Sequence, residues 1–534
     1  MVNKIKEQYA KLDEAARASL IRKLKDSGEQ YGVYPLTDMQ ESLLYAYLTE
    51  PEDTSYQIKA AIRFRGEIDL SAVKRTLRTL IVRHPAFRTK LLLLDDARFQ
   101  CIEKPYEPEI AVITTGRTDH QDLLAIAEKP FDLETEYPFR FYFVQDESRE
   151  TQILLMSAHH LYADGFSFSI LIEEFCKLYA GKAPDGKQTL TPYPLLYGKR
   201  TSDAAAETYW KEYLKDFRSP IRFADTECTD KTKAACEFPL GTVSGIERAA
   251  TEANVSVYAY LLGAYLDALH QYSHTPTAST AVAVLNRTTP EEMQSVGLYA
   301  ALLPVFDRAN GCDLGAFLQS VKLDLHRKVR YSSISQRTLL DLLMQQGTAE
   351  ELYRNVFLFN EDDRSERQIP DTGLTMQMLN IENSSRVQYQ ILVSVVKRGT
   401  EYIGHIDYQK NVVSTEKIES LAGIYQEVVS LYLTQHKRPE TEFKQDDSAA
   451  DAAPASQQFN VQIAEQLRKI WAELLGNDTF SDEDNFFATG GNSLLAIKLL
   501  KRMNETMGAK IKMTDIFRYH SIHDMAVYLE KIGG

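Results

Sequence analysis

The chain has 534 residues, 44% of them hydrophobic and 25% charged. That is the balance of a folded globular protein, and the length is too great for one compact core: at roughly 100–200 residues per domain it sets two to four domains. Lys and Arg number 61 against 75 Asp and Glu, a net charge of −14, which argues against a nucleic-acid binder working through a broad basic surface.

No uncharged run of about 18 apolar residues offers a membrane span, and the N-terminus has no signal-peptide core. The cysteines Cys101, Cys176, Cys228, Cys236 and Cys312 are odd in number and never spaced C-x-x-C. They indicate neither a disulfide framework nor a zinc knuckle, so a cytoplasmic protein without membrane contact is expected.

In chain order, Leu12, Ala16, Leu20 and Leu24 share one face of an amphipathic helix predicted over Ala10–Leu24. Residues 1–30 form an N-terminal segment that either packs on its own domain or docks a partner. Strands are predicted at Gln57–Phe64, Gln152–Ser157 and Arg354–Phe359, with a hairpin over Val387–Tyr408 turning near Arg398-Gly399. Helices are predicted at Ser71–Arg83, Ser167–Tyr179 and Val257–Tyr272. Without strict βαβ alternation, the pattern is one of mixed α/β layers. From Thr434 to Gln458, small, charged and proline residues replace the apolar rhythm, as in a solvated linker. Beyond it, Val461–Leu474, Leu494–Met503 and Ile522–Ile532 have helical periodicity. A short turn near Met513–Phe517 completes a small four-helix bundle.

Two stretches carry chemistry. Residues 156–167 read MSAHHLYADGFS. A buried strand ends at His159-His160, Asp164-Gly165 makes a turn, and Ser167 is placed to cap the following helix. Histidine titrates nearest neutrality and suits proton relay during acyl transfer. A shared metal is disfavoured because adjacent strand residues point to opposite faces and no H-E-x-x-H or nearby cysteine is present. Residues 484–495 read DNFFATGGNSLL. Paired glycines precede Ser493 at a helix start, either as a plain cap or as a presented hydroxyl; a nucleophile elbow fails because Leu495 stands where glycine is needed.

The string H-H-x-x-x-D-G resembles the signature of nonribosomal peptide synthetase condensation domains, which are chloramphenicol-acetyltransferase-like. Tyr34-Pro35-Leu36-Thr37-Asp38-Met39-Gln40 resembles that family's opening motif, and Arg83-His84-Pro85-Ala86-Phe87-Arg88-Thr89 its R-H-x-x-L-R-T motif. Tyr209-Trp210-Lys211-Glu212-Tyr213-Leu214 resembles the segment between its halves, and Val296-Gly297-Leu298-Tyr299 with Leu303-Pro304 a later motif. The D-x-F-F-x-x-G-G-x-S-L string is similar to the attachment site of a peptidyl carrier domain.

These resemblances imply two acetyltransferase-like lobes in a V shape with a tunnel between them, plus a helical carrier bundle. The domains would be a condensation domain at 31–433 (N-lobe about 31–200, C-lobe about 201–433), a linker at 434–458 and a carrier domain at 459–534. His160 would position or deprotonate an acceptor amine, with His159 beside it, and Gly165 would let the loop turn tightly. Asp164 would be structural through an ion pair, with Arg287 as the candidate partner. Ser493 would carry 4'-phosphopantetheine, added by a separate phosphopantetheinyl transferase.

The family's V-N-T is replaced by Ala300-Ala301-Leu302, which implies either unusual substrates or weakened activity. No adenylation domain fits in the linker, so the acceptor would be loaded by one acting in trans. The donor would arrive on a carrier domain of another chain. The expected reaction is amide formation between a donor thioester and a carrier-bound amine. The alternatives are ester-forming or free-amine-using condensation, an epimerisation domain, or an inactive platform presenting a carrier.

Overall fold

The computed structural model describes the chain except residues 96, 117–118, 148–150, 185, 199–203, 216, 218–220, 227–229, 310, 346–353, 361–365, 380–383, 442–459, 479, 485, 487–488, 490–492, 508–510, 512–514, 517–518 and 534. It contains two compact units. The first comprises Met1–Thr201, Val284–Ala301 and Glu361–Val387, and the second Ser202–Ala283, Leu302–Asn360 and Gln388–Gly534. A single cut near residue 200 therefore does not separate them, because two later stretches belong to the first unit.

In the first unit, helices α1 (Val2–Ala10) and α2 (Glu14–Ser27) replace the single helix expected over Ala10–Leu24. The break has a local cause: Asp13 takes an extended backbone, and its carboxylate accepts the Ala16 N–H at 2.8 Å, starting α2 afresh. Val2, Tyr9 and Leu24 are buried against Val33, Leu92 and Phe99 of a three-stranded sheet. Its strands β1 (Val33–Pro35), β3 (Thr89–Leu94) and β4 (Ala97–Ile102) are ordered β1-β4-β3. The N-terminal segment is thus part of its own domain's core.

The larger sheet of this unit is built from β2 (Gln57–Arg65), β5 (Ile110–Thr114), β6 (Phe139–Gln145), β7 (Gln152–His159), β12 (Arg367–Gln368) and β13 (Thr375–Leu379). Their order is β12-β13-β2-β7-β6-β5. Strand β7 is buried along its whole length because both faces are covered. Leu154, Met156 and Ala158 face the core formed with α4 (Leu70–Arg83) and α6 (Gly165–Tyr179). Ile153 and Leu155, on the opposite face, pack with Leu123 and Ala127 of α5 (His120–Ala127). The period-two alternation decides what the end of β7 presents: His159 lies on the α5 side, and His160 falls just past the strand. Helix α3 (Asp38–Thr49), capped by Thr37, also belongs to this unit.

The second unit holds a sheet of β8 (Lys233–Thr242), β9 (Thr277–Val284), β10 (Ala301–Arg308), β11 (Asn355–Asn360), β14 (Ile391–Arg398) and β15 (Glu401–Gln409), ordered β10-β9-β11-β14-β15-β8. The expected hairpin is β14–β15, with Gly399 supplying a φ of 60° at the turn. Against the sheet lie α7 (Val257–Ser273) and α9 (Thr415–Gln435), with α8 (Leu314–Arg330) beside α7.

Helix α9 continues past Thr434, and Arg438 forms charged hydrogen bonds to Asp267 at 2.6–3.2 Å while stacking on Phe317. Residues 434–438, expected in the linker, are therefore part of this unit's packing. Near the C-terminus, α10 (Val461–Leu475) ends at Gly476 in the left-handed conformation, followed by α11 (Ser493–Met507) and α12 (Ile522–Gly533). Most of the turn expected over Met513–Phe517 lies outside the described residues.

Candidate active site and carrier attachment site

His159 closes β7 and is 3% exposed. Its Nδ1 accepts the Leu161 N–H at 3.1 Å, and Tyr47 and Phe131 present ring edges or faces to it at 5.5 and 6.2 Å. Burial, reinforced by the neighbouring His160, pushes its pKa down to about 3. It is a neutral acceptor that shapes the turn, not a group that titrates near neutrality.

His160 is half-buried. Its backbone N–H donates to Tyr56 O at 2.8 Å, and its Nδ1 is buried with no hydrogen-bond partner among the described residues. Burial lowers its pKa against the opposing pull of the Asp164 carboxylate, so the neutral imidazole is favoured. A neutral ring at neutral pH is what a proton acceptor requires.

Asp164, not Ser167, caps α6. Its extended backbone places Oδ1 2.9 Å from the Ser167 N–H, and the Ser167 hydroxyl answers at the third helical position. The same carboxylate accepts Arg287 Nη1 at 2.7 Å and Nη2 at 3.0 Å, and the Tyr299 and Ala300 N–H groups at 3.1 Å each. Burial works to raise the Asp164 pKa, but the Arg287 and Ser167 bonds hold it below the ordinary carboxylate value. Arg287 is enclosed in turn. Its Nε donates to Glu292 O at 3.1 Å, and its guanidinium lies 4.3 Å from the Tyr299 ring. A buried charge pair with every lone pair engaged is a fixed post that orders the loop between His160 and α6. At the altered V-N-T position, Ala300 contributes its backbone N–H, which any residue but proline supplies.

Gly165 is not needed for the turn. It is the first residue of α6, with no left-handed backbone angle, and a Cβ built on it would meet nothing within 4 Å. What the glycine provides is open space beside the loop.

In the C-terminal bundle, Ser493 is the first residue of α11. The loop before it is anchored by Phe486, fully buried, whose N–H donates to His520 O at 2.8 Å and whose ring meets Trp471 at 4.9 Å. A serine at the start of a 15-residue helix fits a phosphodiester, because the helix N-terminus favours negative charge.

Residues 30–452 match the family model for the condensation domain. The chain belongs to the condensation-domain family. That family comprises acyl-transferring, amide-bond-forming enzymes of nonribosomal peptide synthetases. After the condensation domain, residues 465–529 match the model for a phosphopantetheine attachment site, so a carrier domain follows.

Among curated relatives, bacitracin synthase 3 of Bacillus licheniformis is 24% identical over 77% of this chain, which spans only 7% of that protein. The starter condensation domain of rhizomide synthetase has a TM-score of 0.66 at 15% identity, covering 79% of this chain and 99% of that one. An epimerization domain of tyrocidine synthetase B has a TM-score of 0.62 at 17% identity, covering 76% and 97%. At such identities these likenesses establish the chloramphenicol-acetyltransferase-like fold.

Two of the condensation-domain motifs read from the sequence brace α6, the helix that follows the His160 loop. Arg83, 1% exposed, donates to both oxygens of Glu174 at 2.9 and 3.0 Å, and His84 Nε2 meets Glu174 Oε2 at 2.7 Å. This fastens the end of α4 to α6. Gly297 is required by close approach, since a Cβ there would sit 2.4 Å from the Tyr193 ring. Its N–H donates to the Ser167 hydroxyl at 3.2 Å. Glu174 and Tyr193 were not singled out in the sequence. A glutamate mid-helix and a tyrosine after a proline look ordinary until their distant partners are known.

Proposed function

We propose that this chain forms an amide between the acyl group of a donor thioester, delivered by a carrier domain of another chain, and an amine acceptor borne on its own carrier domain through Ser493. The observation that carries the reading is His160: a half-buried imidazole favoured neutral by burial, at the edge of a loop fixed by the Asp164–Arg287 pair.

When bound, the phosphopantetheine thiol supplies a thioester linkage and a tether that raises local concentration. His160 would hold the acceptor amine and take its proton through Nε2 as the nitrogen attacks the donor carbonyl; the donor's C–S bond then breaks, and the thiolate leaves on the donor arm with that proton as a free thiol. His159 is a positioning residue that acts through the Leu161 N–H, and Asp164 holds the loop without touching substrate. Gly165 leaves room beside the reacting groups. Residues 453–464 separate the two family matches, too short a stretch to hold an adenylation domain between them, and in this reading the acceptor is loaded by one acting in trans. A phosphopantetheinyl transferase modifies Ser493, and the work is done in the cytoplasm.

The test couples intact-mass analysis with a transfer assay. After incubation with a phosphopantetheinyl transferase, the wild-type chain gains the mass of the arm and Ser493→Ala does not. With a labelled donor, the loaded wild-type chain forms product and His160→Ala is slowed about 10²–10⁴-fold, the usual contribution of a positioned acid–base group. Modification of the Ser493→Ala protein, or equal rates for wild type and His160→Ala, would refute the proposal.

A further inference from the structure

Gln40 lies in the first turn of α3 and is fully buried. Its Oε1 accepts the Thr37 N–H at 3.1 Å, while Thr37 Oγ1 accepts the Gln40 N–H at 3.3 Å, a reciprocal cap. That cap uses only the acceptor half of the amide, and glutamate would serve it equally. The donor half goes elsewhere: Nε2 donates to the Leu161 carbonyl at 3.1 Å and to Gln100 Oε1 at 3.2 Å. Gln100, 1% exposed, donates back to Gln40 Oε1 at 2.7 Å and to Pro35 O at 3.1 Å.

Leu161 directly follows His160. The peptide before His160 is held by the bond from its N–H to Tyr56 O, and the peptide between His160 and Leu161 by the bond from the Leu161 N–H to His159 Nδ1. One residue past His160, the Leu161 carbonyl is held by Gln40. We infer that Gln40 is a positioning residue for His160: the buried Gln40–Gln100 amide pair pins the Leu161 carbonyl and so aims the imidazole. The inference rests on the proposed role of His160. A shift of about 1 Å in a reacting group is enough to cost on the order of 10²-fold in rate, so a lost anchor shows in turnover rather than in binding.

The test uses the full chain, phosphopantetheinylated and loaded, and measures the single-turnover rate constant for product formation (kcat) and the half-saturating donor concentration (KM), the acceptor being tethered. Q40E keeps the cap but replaces the donor nitrogen with oxygen. Protonated, its carboxyl donates to Leu161 O; ionised, it faces two oxygen acceptors. Its kcat deficit is therefore expected to grow with pH, from within about threefold of wild type at pH 6 to at least tenfold at pH 9, with the donor KM within twofold. Q40M has no donor at any pH and is expected to lose at least tenfold in kcat throughout.

A kcat for Q40M within twofold of wild type, a Q40E deficit that does not grow with pH, or losses confined to KM would overturn the inference. Failure of both variants to fold, judged by circular dichroism, would overturn it too and make Gln40 a folding residue. Equal rates for wild type and H160A would refute the His160 reading itself, a result separable from any of these.

Discussion

Arg287 and Asp164 lie 123 positions apart and meet through two charged hydrogen bonds of 2.7 and 3.0 Å, both side chains fully enclosed. Around this pair are gathered the cap of α6, the Tyr299 and Ala300 N–H groups and the turn that carries His160.

Removing one partner leaves the other charged and buried. R287M is expected to lose about 3–5 kcal/mol of stability in urea unfolding at pH 7. R287K is expected to recover only part, since an ammonium cannot reproduce the two-point fork. The pH dependence has a defined sign. The Asp164 pKa is lowered in the folded state, so its contribution is present above the unfolded value and is lost as pH falls through the folded one. The stability gap between wild type and D164N should therefore narrow on acidification below about pH 4. A gap constant from pH 7 to pH 3 would contradict the ion pair.

His159 makes the opposite case. Its folded pKa is about 3, below the ordinary value of about 6.5. The unfolded chain then binds the extra proton, and stability falls as pH drops from 6.5 toward 3, by about 1.4 kcal/mol per unit. H159N keeps an acceptor for the Leu161 N–H but does not titrate. Its unfolding free energy, measured from pH 7 to pH 4, should fall less steeply than that of the wild type by about one proton. Equal slopes would show that His159 is not held neutral.

Gly165→Ala separates folding from passage. The position is helical, exposed and unobstructed, so alanine should raise stability by about 0.4–1 kcal/mol by restricting the unfolded chain. If substrate uses the space beside the loop, the added methyl should slow acyl transfer at least tenfold in the same protein. A more stable variant with unchanged transfer would show that this space is not used.

The motif residues were legible because their chemistry is local. A buried strand, a turn and a helix cap fall within the dozen positions 156–167, and the loop from Asp484 to Ser493 is as short. Even there the sequence points to Ser167 as the cap and the structure has Asp164. Asp and Ser are equally good capping types, and what favours Asp164 is that its carboxylate also receives Arg287. The N-terminal helix was misdrawn for a similar reason: its apolar spacing runs through Asp13, and the break appears only in that residue's backbone.

By itself, the sequence determined the family, the order of a condensation domain before a carrier, and the residues at the end of β7, because periodicity and motif spacing are written over a few turns of chain. Tertiary structure alone decided the joining of 284–301 and 361–387 to the first unit, the enclosure of Arg287, and the reach of Gln40 to Leu161. Those are contacts between segments as much as 336 positions apart. They depend on how the packed core closes the intervening chain, for which no local pattern carries a signal.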